Sequence, residues 1–263
     1  MFALPGFPGR AQRQHHHKKA NEPTSPHPAL SITHPAALRY DPARSPREKI
    51  GLSDNRRVAT FSLQEQFGNV DIYLFDQLLR GRIAPGMKIF DAGCGAGRNL
   101  VYLLREGYEV FAADRDPFAV ESVRQLAATL APGLPADNFR HESLEAPSSF
   151  PAAFADVVIG NAVLHFATDD HHFLAMLRGA WRALKPGGLF FCRLASSIGM
   201  EHRIQPLGDR RFLLPDGSAR YLVDEGLLLR ITADLGGALL DPLKTTVVQN
   251  QRAMTTWVVR KAL

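Results

Sequence analysis

Residues 88–99 read KIFDAGCGAGRN, an apolar run that reaches the acidic Asp91 and then continues through Gly93, Gly95 and Gly97. Glycine has no Cβ, so glycines at alternate positions let a chain turn sharply and bring its backbone N–H and C=O groups close to a ligand. The pattern predicts a buried strand that runs directly into a tight ligand-binding turn.

The spacing of the glycines distinguishes two kinds of cofactor site. Dinucleotide-binding proteins use G-x-G-x-x-G, whose third glycine allows close packing of a helix that receives the pyrophosphate. In this chain Arg98 stands at that third position, and the pattern is G-x-G-x-G instead. The turn therefore favours a cofactor without a pyrophosphate, and a nicotinamide-dependent oxidoreductase is the less favoured alternative.

The chain has 263 residues, and its basic charge is unevenly distributed. Residues 1–57 hold ten Lys/Arg against four Asp/Glu and are rich in proline and histidine, without apolar periodicity. They are predicted to form a disordered tail. The predicted domain at residues 58–263 has 21 Lys/Arg against 22 Asp/Glu, so we expect no nucleic-acid partner.

The amino-acid composition argues against a membrane span, disulfide bonds and a metal site. No apolar run reaches the length of a membrane span, and a secretory signal is absent, so we expect no membrane association. Cys94 and Cys192 are the only cysteines, which fits a reducing, cytoplasmic protein without disulfides. His15–His17 lack partnering ligands, so no metal site is predicted.

Apolar periodicity predicts strands that alternate with helices. The predicted strands are Met87–Ala92, Tyr108–Ala113, Phe139–His141, Val157–Gly160 and Leu189–Leu194, and the predicted helices are Phe67–Leu79, Arg98–Glu106, Pro117–Leu130 and His171–Leu184. This alternation favours a doubly wound parallel α/β sheet. Leu239–Gln249 and Ala253–Arg260 are too close in sequence for a parallel crossover, so they are predicted to form an antiparallel hairpin.

These landmarks resemble the class I S-adenosylmethionine (SAM) dependent methyltransferases over roughly residues 60–261. The resemblance is carried by Phe90–Gly97, by Asp114, by Ala155–His165, by Leu184–Gly188 and by the closing hairpin. It implies a seven-stranded, mostly parallel, Rossmann-like sheet and SAM as the cofactor. The stretch from Gly93 to Asp114 is most similar to the bacterial branch that contains tellurite-resistance and related small-molecule methyltransferases.

The resemblance also implies a set of cofactor-binding residues. They are Asp91, Gly93, Cys94, Gly95, Gly97, Asp114, Arg115, Glu142, Ser143 and Asn161. The glycine turn is expected at the methionine end, and Asp114 is expected to accept hydrogen bonds from both ribose hydroxyls, with helix capping as the alternative. Arg115 is expected against the adenine ring, and either Glu142 or Ser143 beside the adenine amino group, with a solvent-facing loop position as a further alternative for Glu142. Cys94 is expected to pack within the turn.

The expected reaction is in-line methyl transfer to an unidentified acceptor, most simply a small molecule, and it needs no nucleophile on the protein. His165 is the candidate general base, with a packing role as the alternative. Acceptor choice is expected from residues 60–79 and from an insertion at residues 195–225, whose Asp216-Gly217 turn predicts a small hairpin or lid. A non-catalytic SAM-binding or partner-binding module is the alternative function.

Overall fold

The computed structural model describes residues 62–263, and the predicted tail with His15–His17 lies outside the described residues. The strands, in chain order, are β1 (Lys88–Ala92), β2 (Glu109–Asp114), β3 (Phe139–His141), β4 (Ala155–Asn161), β5 (Leu184–Ser196), β6 (Gln205–Gly208), β7 (Arg211–Leu213), β8 (Ala219–Tyr221), β9 (Gly237–Leu239), β10 (Lys244–Val248) and β11 (Arg252–Lys261). The helices are α1 (Leu63–Phe67), α2 (Ile72–Leu79), α3 (Val101–Arg105), α4 (Pro117–Leu130), α5 (Asp170–Ala183) and α6 (Glu225–Asp234).

The main sheet has the strand order β10-β11-β5-β4-β1-β2-β3. Strands β1 to β5 are parallel, whereas β11 runs antiparallel to β5 and to β10. The prediction of a mostly parallel sheet with an antiparallel C-terminal hairpin is confirmed. The sheet has eight strands rather than seven because the predicted strand Leu239–Gln249 is interrupted near Pro242, and the short β9 pairs separately with β11.

Two predicted element boundaries were wrong. The predicted helix Phe67–Leu79 is two helices, because Gly68 adopts a positive φ of 61° and Asp71 begins α2 by accepting a hydrogen bond from the Tyr73 amide. Residues 185–188, which separate the predicted helix His171–Leu184 from the predicted strand Leu189–Leu194, lie within β5, because Leu184 already pairs with Ala155 before a register shift.

The two faces of the main sheet carry separate apolar cores. One core packs beneath α5 and α6, and the other packs beneath α2, α3 and α4. The carboxyl ends of β1, β2, β4 and β5 meet at one edge of the sheet, where ligands of doubly wound folds bind. Among residues 62–263, no helix combines the length and apolar character needed to cross a membrane.

The insertion forms a second, three-stranded antiparallel sheet from β6, β7 and β8. Its β7–β8 turn is closed by the amide and hydroxyl of Ser218, which both donate to the Asp216 carboxylate. The predicted hairpin is therefore confirmed. Strand β8 packs beside the short 3-10 turn Leu164–Phe166, which follows β4.

Candidate active site

A cavity of about 420 Å³ opens at the carboxyl edge of β1, β2 and β4. Eight of the predicted cofactor residues line it: Gly93, Cys94, Gly95, Asp114, Arg115, Glu142, Ser143 and Asn161. They come from the loops after four different strands, and the parallel topology brings those loops to one place. A concave site of this size and composition is suited to a small organic ligand.

Asp114, at the end of β2, is held by two backbone amides. Its Oδ2 accepts from the Gly95 amide at 2.8 Å, and its Oδ1 accepts from the Asp116 amide at 2.9 Å. A carboxylate has about four acceptor positions, so two remain for a ligand in the cavity. The helix-capping role belongs to its neighbour Asp116, which accepts from the Phe118 amide at the start of α4.

The glycine turn combines close packing with open space. Gly93 has a φ of 84°, and a Cβ there would collide with the side chain of Val163. Gly95 has a φ of 52° and would meet nothing within 4 Å, so its missing side chain leaves room in the cavity. Gly97 does not line the cavity, because its α-carbon faces Val123 and Leu126 of α4. Its geometry supports a packing role in place of the expected cofactor contact.

Asp91 lies behind the glycine turn and outside the cavity wall. It is 1% exposed, and its Oδ2 has no hydrogen-bond partner among the described residues. Burial, together with the nearby Asp114 carboxylate, raises the pKa of Asp91 to about 7, against a smaller opposing effect of Arg98. An unpartnered buried carboxylate fits a cationic group such as the ammonium of an amino-acid ligand.

Glu142 and Ser143 both line the cavity, but the Glu142 carboxylate is already engaged. It accepts hydrogen bonds from the Ser148 hydroxyl at 2.9 Å and from the amide and hydroxyl of Ser149. Burial alone would raise the pKa of Glu142, but these hydrogen bonds outweigh it and lower the pKa below its ordinary value. The carboxylate is therefore committed to its own loop.

His165 lies outside the cavity wall and is 7% exposed. Its Nδ1 accepts a hydrogen bond from the Ala195 amide at 3.3 Å, so the neutral ring carries its proton on Nε2. Burial, and then the positive charges of Arg220 and Arg252, lower its pKa to about 4. A ring in this state has no free acceptor nitrogen, so the geometry does not support the base role predicted for it.

Several cavity residues were not found from the sequence. They are Ala96, Arg98, Asn99, Leu144, Glu145, Ala162, Val163, Phe166 and Met176. Arg98 and Asn99 follow the glycine turn directly, and that adjacency was an available signal. The partner of Asn99 was not predictable, since its Oδ1 accepts from the Asp71 amide, 28 residues earlier.

Comparisons with known proteins bear on the same residues. A family model described as a methyltransferase domain matches residues 90–192, which span β1 to β5 and the cavity loops. The ubiquinone biosynthesis O-methyltransferase of Methylocella silvestris is 33% identical over 185 residues, which are 64% of this chain and 68% of that protein. The chain belongs to the class I SAM-dependent methyltransferase family. The mitochondrial enzyme of the same description from Schizosaccharomyces pombe is 31% identical over 174 residues, 60% of each chain.

Solved structures show the same fold for this methyltransferase. A SAM-dependent methyltransferase from Methanosarcina mazei superposes with a TM-score of 0.55 at 19% identity, over 71% of this chain and 97% of that one. Magnesium protoporphyrin IX methyltransferase from Synechocystis, solved with bound SAM, superposes with a TM-score of 0.53 at 17% identity, over 73% and 77% of the two chains. The protein is a SAM-dependent methyltransferase, and its cofactor is SAM.

Proposed function

We propose that this methyltransferase transfers a methyl group from SAM to a hydroxyl oxygen of a small molecule. The observation that carries the proposal is the single cavity that connects Asp114, at the end of β2, with Asn161, at the end of β4. The end of the cavity beside Asp114 suits the nucleoside of SAM. The end beside Asn161 lies at the carboxyl edge of the sheet, where substrates bind in doubly wound folds. The O-methyltransferase names of the relatives support an oxygen acceptor.

The cofactor-binding residues take distinct roles in this proposal. The two free acceptor positions of Asp114 receive the ribose hydroxyls. The buried, unpartnered carboxyl of Asp91, directly behind the glycine turn, attracts the ammonium group electrostatically. Arg98, at the cavity wall, receives the carboxylate. Ser143 contacts the adenine amino group because the carboxylate of Glu142 is occupied by Ser148 and Ser149.

Arg115 and Cys94 form part of the cavity wall. Arg115 lines the cavity, and its carbonyl accepts a hydrogen bond from the His141 ring at 2.9 Å, which holds the loop after β2 in place. Its aliphatic stem and planar head suit the adenine face. Cys94 is 6% exposed, and burial raises its thiol pKa well above the ordinary value. It therefore packs in the wall as a neutral thiol.

Methyl transfer from SAM requires no nucleophile on the protein, so the main contribution of the protein is to align the methyl donor with the acceptor. SAM supplies an activated methyl group whose leaving group departs as a neutral thioether. Phe166 and Met176 give the cavity apolar walls, which reduce the number of polar groups and water molecules that can compete for the reacting atoms. His165 acts as a positioning residue, because its hydrogen bond with the Ala195 amide ties the loop after β4 to β5.

The choice of acceptor differs from the branch suggested by the glycine-turn segment. That segment is similar to tellurite-resistance methyltransferases, and this branch assignment stays a prediction. We favour an organic hydroxyl because the O-methyltransferase likeness extends over 185 residues of the chain. The role of the insertion as a lid over the acceptor also stays a prediction.

The test is product formation from radiolabelled SAM over a panel of catechols, simple phenols, thiols and amines. The proposal expects label in the organic phase with hydroxyl compounds and none with amines. Binding of S-adenosylhomocysteine (SAH), measured by calorimetry, is the control for an intact cofactor site. Tight SAH binding without transfer to any compound of the panel would support the alternative of a non-catalytic SAM-binding module.

A further inference from the structure

The segment that follows β3 borders the cofactor cavity without regular secondary structure. It comprises Glu142–Phe150, hereafter called the β3 loop, and four of its residues line the cavity: Glu142, Ser143, Leu144 and Glu145. A segment without helix or sheet hydrogen bonds takes its position from the elements that it packs against. In the proposed function Ser143 contacts the adenine amino group, so the packing of the β3 loop decides whether that contact forms.

Helix α5 holds the β3 loop at several points. Nη2 of Arg182 donates hydrogen bonds to the carbonyl oxygen of Ser148 at 3.1 Å and to that of Phe150 at 2.7 Å. Nearer the start of α5, Nε2 of His172 lies 3.7 Å from Oε1 of Glu145. These contacts place one face of α5 along the loop.

Gly179 lets α5 and the β3 loop approach each other closely. A Cβ at this position would lie 1.9 Å from the carbonyl oxygen of Leu144 and 3.0 Å from its carbonyl carbon. Non-bonded carbon and oxygen atoms stay at least about 3 Å apart, so a side chain here would force the loop and the helix apart by about 1 Å. The Leu144 side chain packs against the apolar core beneath α5, which helps to hold the carbonyl in this place.

The contact with Leu144, and not the helix itself, accounts for a glycine at position 179. Gly179 lies inside α5 and its φ is not positive, so its backbone would admit any ordinary residue. Alanine is more favourable than glycine in a helix interior. The glycine therefore weakens α5 locally, and the close packing against the β3 loop explains its presence.

We infer that Gly179 is a positioning residue for the cofactor, because it lets the Leu144 carbonyl rest on α5 and thereby sets the distance between Ser143 and the adenine amino group. This role rests on the proposed contact of Ser143 with adenine and names the residue that makes the contact possible. Gly179 itself does not line the cavity, so it acts only through the β3 loop.

The expected consequence of a side chain at position 179 is selective for the base of the cofactor. A hydrogen bond requires about 2.7–3.2 Å between its heavy atoms, so a displacement of about 1 Å breaks the contact with the adenine amino group. Asp114 and the glycine turn belong to β2 and to the end of β1, so the contacts with the ribose and the amino-acid end should remain. A glycine that served only the packing of α5 would change stability without changing the preference for one base.

The probes are SAH and its 6-deamino analogue, in which hydrogen replaces the amino group of the adenine ring. Calorimetry measures the Kd of both for wild-type protein and for Gly179→Ala. Wild type is expected to bind SAH about five- to tenfold more tightly than the analogue, which is the usual effect of one hydrogen bond. In Gly179→Ala the Kd of SAH should rise towards that of the analogue, so that the preference falls below about twofold.

Gly226→Ala is the matched control, because it makes the same substitution in α6, and Gly226 does not border the cavity. A Cβ there would approach the side chains of Arg230 and Asp224 no closer than 3.3 Å, so the preference for SAH should be unchanged. Ser143→Ala should lose the preference by itself. Adding Gly179→Ala to it should cause no further loss, because the two residues act through one contact.

Arg182→Lys gives a second test that leaves Gly179 in place. A lysine ammonium group cannot reproduce the planar fork of donors that binds the carbonyls of Ser148 and Phe150, so part of the preference for SAH should be lost. This variant carries the test if Gly179→Ala does not fold. An unchanged preference in Arg182→Lys would then overturn the role of α5 in positioning the β3 loop.

An unchanged preference in folded Gly179→Ala, or an equal loss in Gly226→Ala, overturns the role of Gly179 and leaves O-methyl transfer standing. Equal binding of SAH and the analogue by wild type overturns the contact of Ser143 with adenine, and the role of Gly179 with it. Failure of SAH to bind wild type overturns the proposed cofactor site as a whole.

Discussion

The backbone amide of Gly95 donates a hydrogen bond to the carboxylate of Asp114 across 2.8 Å. This bond joins the turn after β1 to the end of β2, so the two parts of the cofactor site are positioned by one another. It also uses only one acceptor position of Oδ2 and leaves the carboxylate available to a ligand in the cavity. Asp114 therefore holds the glycine turn in place, and in the proposed assignment it also binds the ribose of the cofactor.

Replacing Asp114 should weaken cofactor binding strongly. Asp114→Ala removes two charge-assisted hydrogen bonds to the ribose and is expected to cost about 2–3 kcal/mol, roughly a 30- to 150-fold rise in Kd for SAH. Asp116→Asn is the matched control, because Asp116 is two residues away and an asparagine preserves its helix-capping bond. Calorimetry with SAH measures both. Equal affinities for the two variants would refute the ribose assignment.

Two glycines of the turn should respond differently to alanine. Gly93→Ala places a methyl group against Val163 at a φ of 84°, so it should lower the free energy of unfolding by more than about 2 kcal/mol. Gly95→Ala meets open space and should cost only about 1 kcal/mol from its left-handed backbone, while its methyl group intrudes on SAH. Chemical denaturation and SAH calorimetry separate the two effects. Similar stability losses in both variants would contradict this division.

Cofactor binding should strengthen as pH rises towards 7. The pKa of Asp91 in the empty site is raised to about 7, mainly by burial, so at pH 6 the carboxyl holds a proton that the bound ammonium group displaces. SAH affinity should therefore increase between pH 5.5 and 7, by at most about tenfold per unit. Asp91→Asn should bind more weakly and lose this dependence, whereas Asp116→Asn should keep it. A flat profile for the wild-type protein would rule out proton release from Asp91.

The raised pKa of Asp91 has a separate effect on the stability of the protein without SAH. An acid whose folded pKa lies above its ordinary value of 3.8 keeps its proton in the folded state, so the contribution of Asp91 to stability declines as pH rises from about 4 to 7. In the absence of SAH, Asp91→Asn should be more stable than wild type at pH 7.5 and similar to it at pH 4. Denaturant titrations at the two pH values measure the difference. If Asp91→Asn were less stable than wild type at pH 7.5, the interpretation of Asp91 as a buried carboxylate without a compensating partner would be wrong.

His165 should not behave as a base. Its pKa of about 4 predicts a neutral ring, so its Cε1–H NMR resonance should not titrate between pH 8 and 5.5. His165→Asn can still accept from the Ala195 amide and should retain more than about a tenth of kcat/KM, whereas loss of a general base costs at least about 100-fold. Because the folded pKa of His165 lies below 6.5, its contribution to the free energy of unfolding falls as pH drops from 6.5 to 4, so the stability of wild type relative to His165→Asn should fall over that range.

Local patterns were sufficient for the parts of the site that lie close together in sequence. The strand before Gly93, the position of Asp114 and the helix Pro117–Leu130 with its Asp116 cap all follow from apolar periodicity, glycine spacing and capping chemistry. Each depends on neighbours within a few residues. The spacing of the C-terminal strands was likewise enough to predict their antiparallel pairing.

The contacts between distant parts of the chain could not be predicted in this way. Asp71 and Arg193 are 122 residues apart, and their pairing depends on how α2 packs over the sheet. The same tertiary packing turns Gly97 towards α4 and commits Glu142 to its serine loop, although both look like cofactor residues in the sequence. Sequence spacing identifies which residues sit at the sheet edge, but not which of their atoms are already paired.

Methyl transfer from SAM to oxygen is best checked by locating the transferred carbon in the product. SAM labelled with ¹³C in its methyl group is incubated with the protein and an equimolar mixture of a catechol, a thiol and an amine, and the product is read by ¹³C NMR. We expect a single new resonance in the aryl methyl ether region, much weaker with Asp114→Ala when SAM is kept below saturation for that variant. Label on sulfur or nitrogen, or label unaffected by Asp114→Ala, would contradict it.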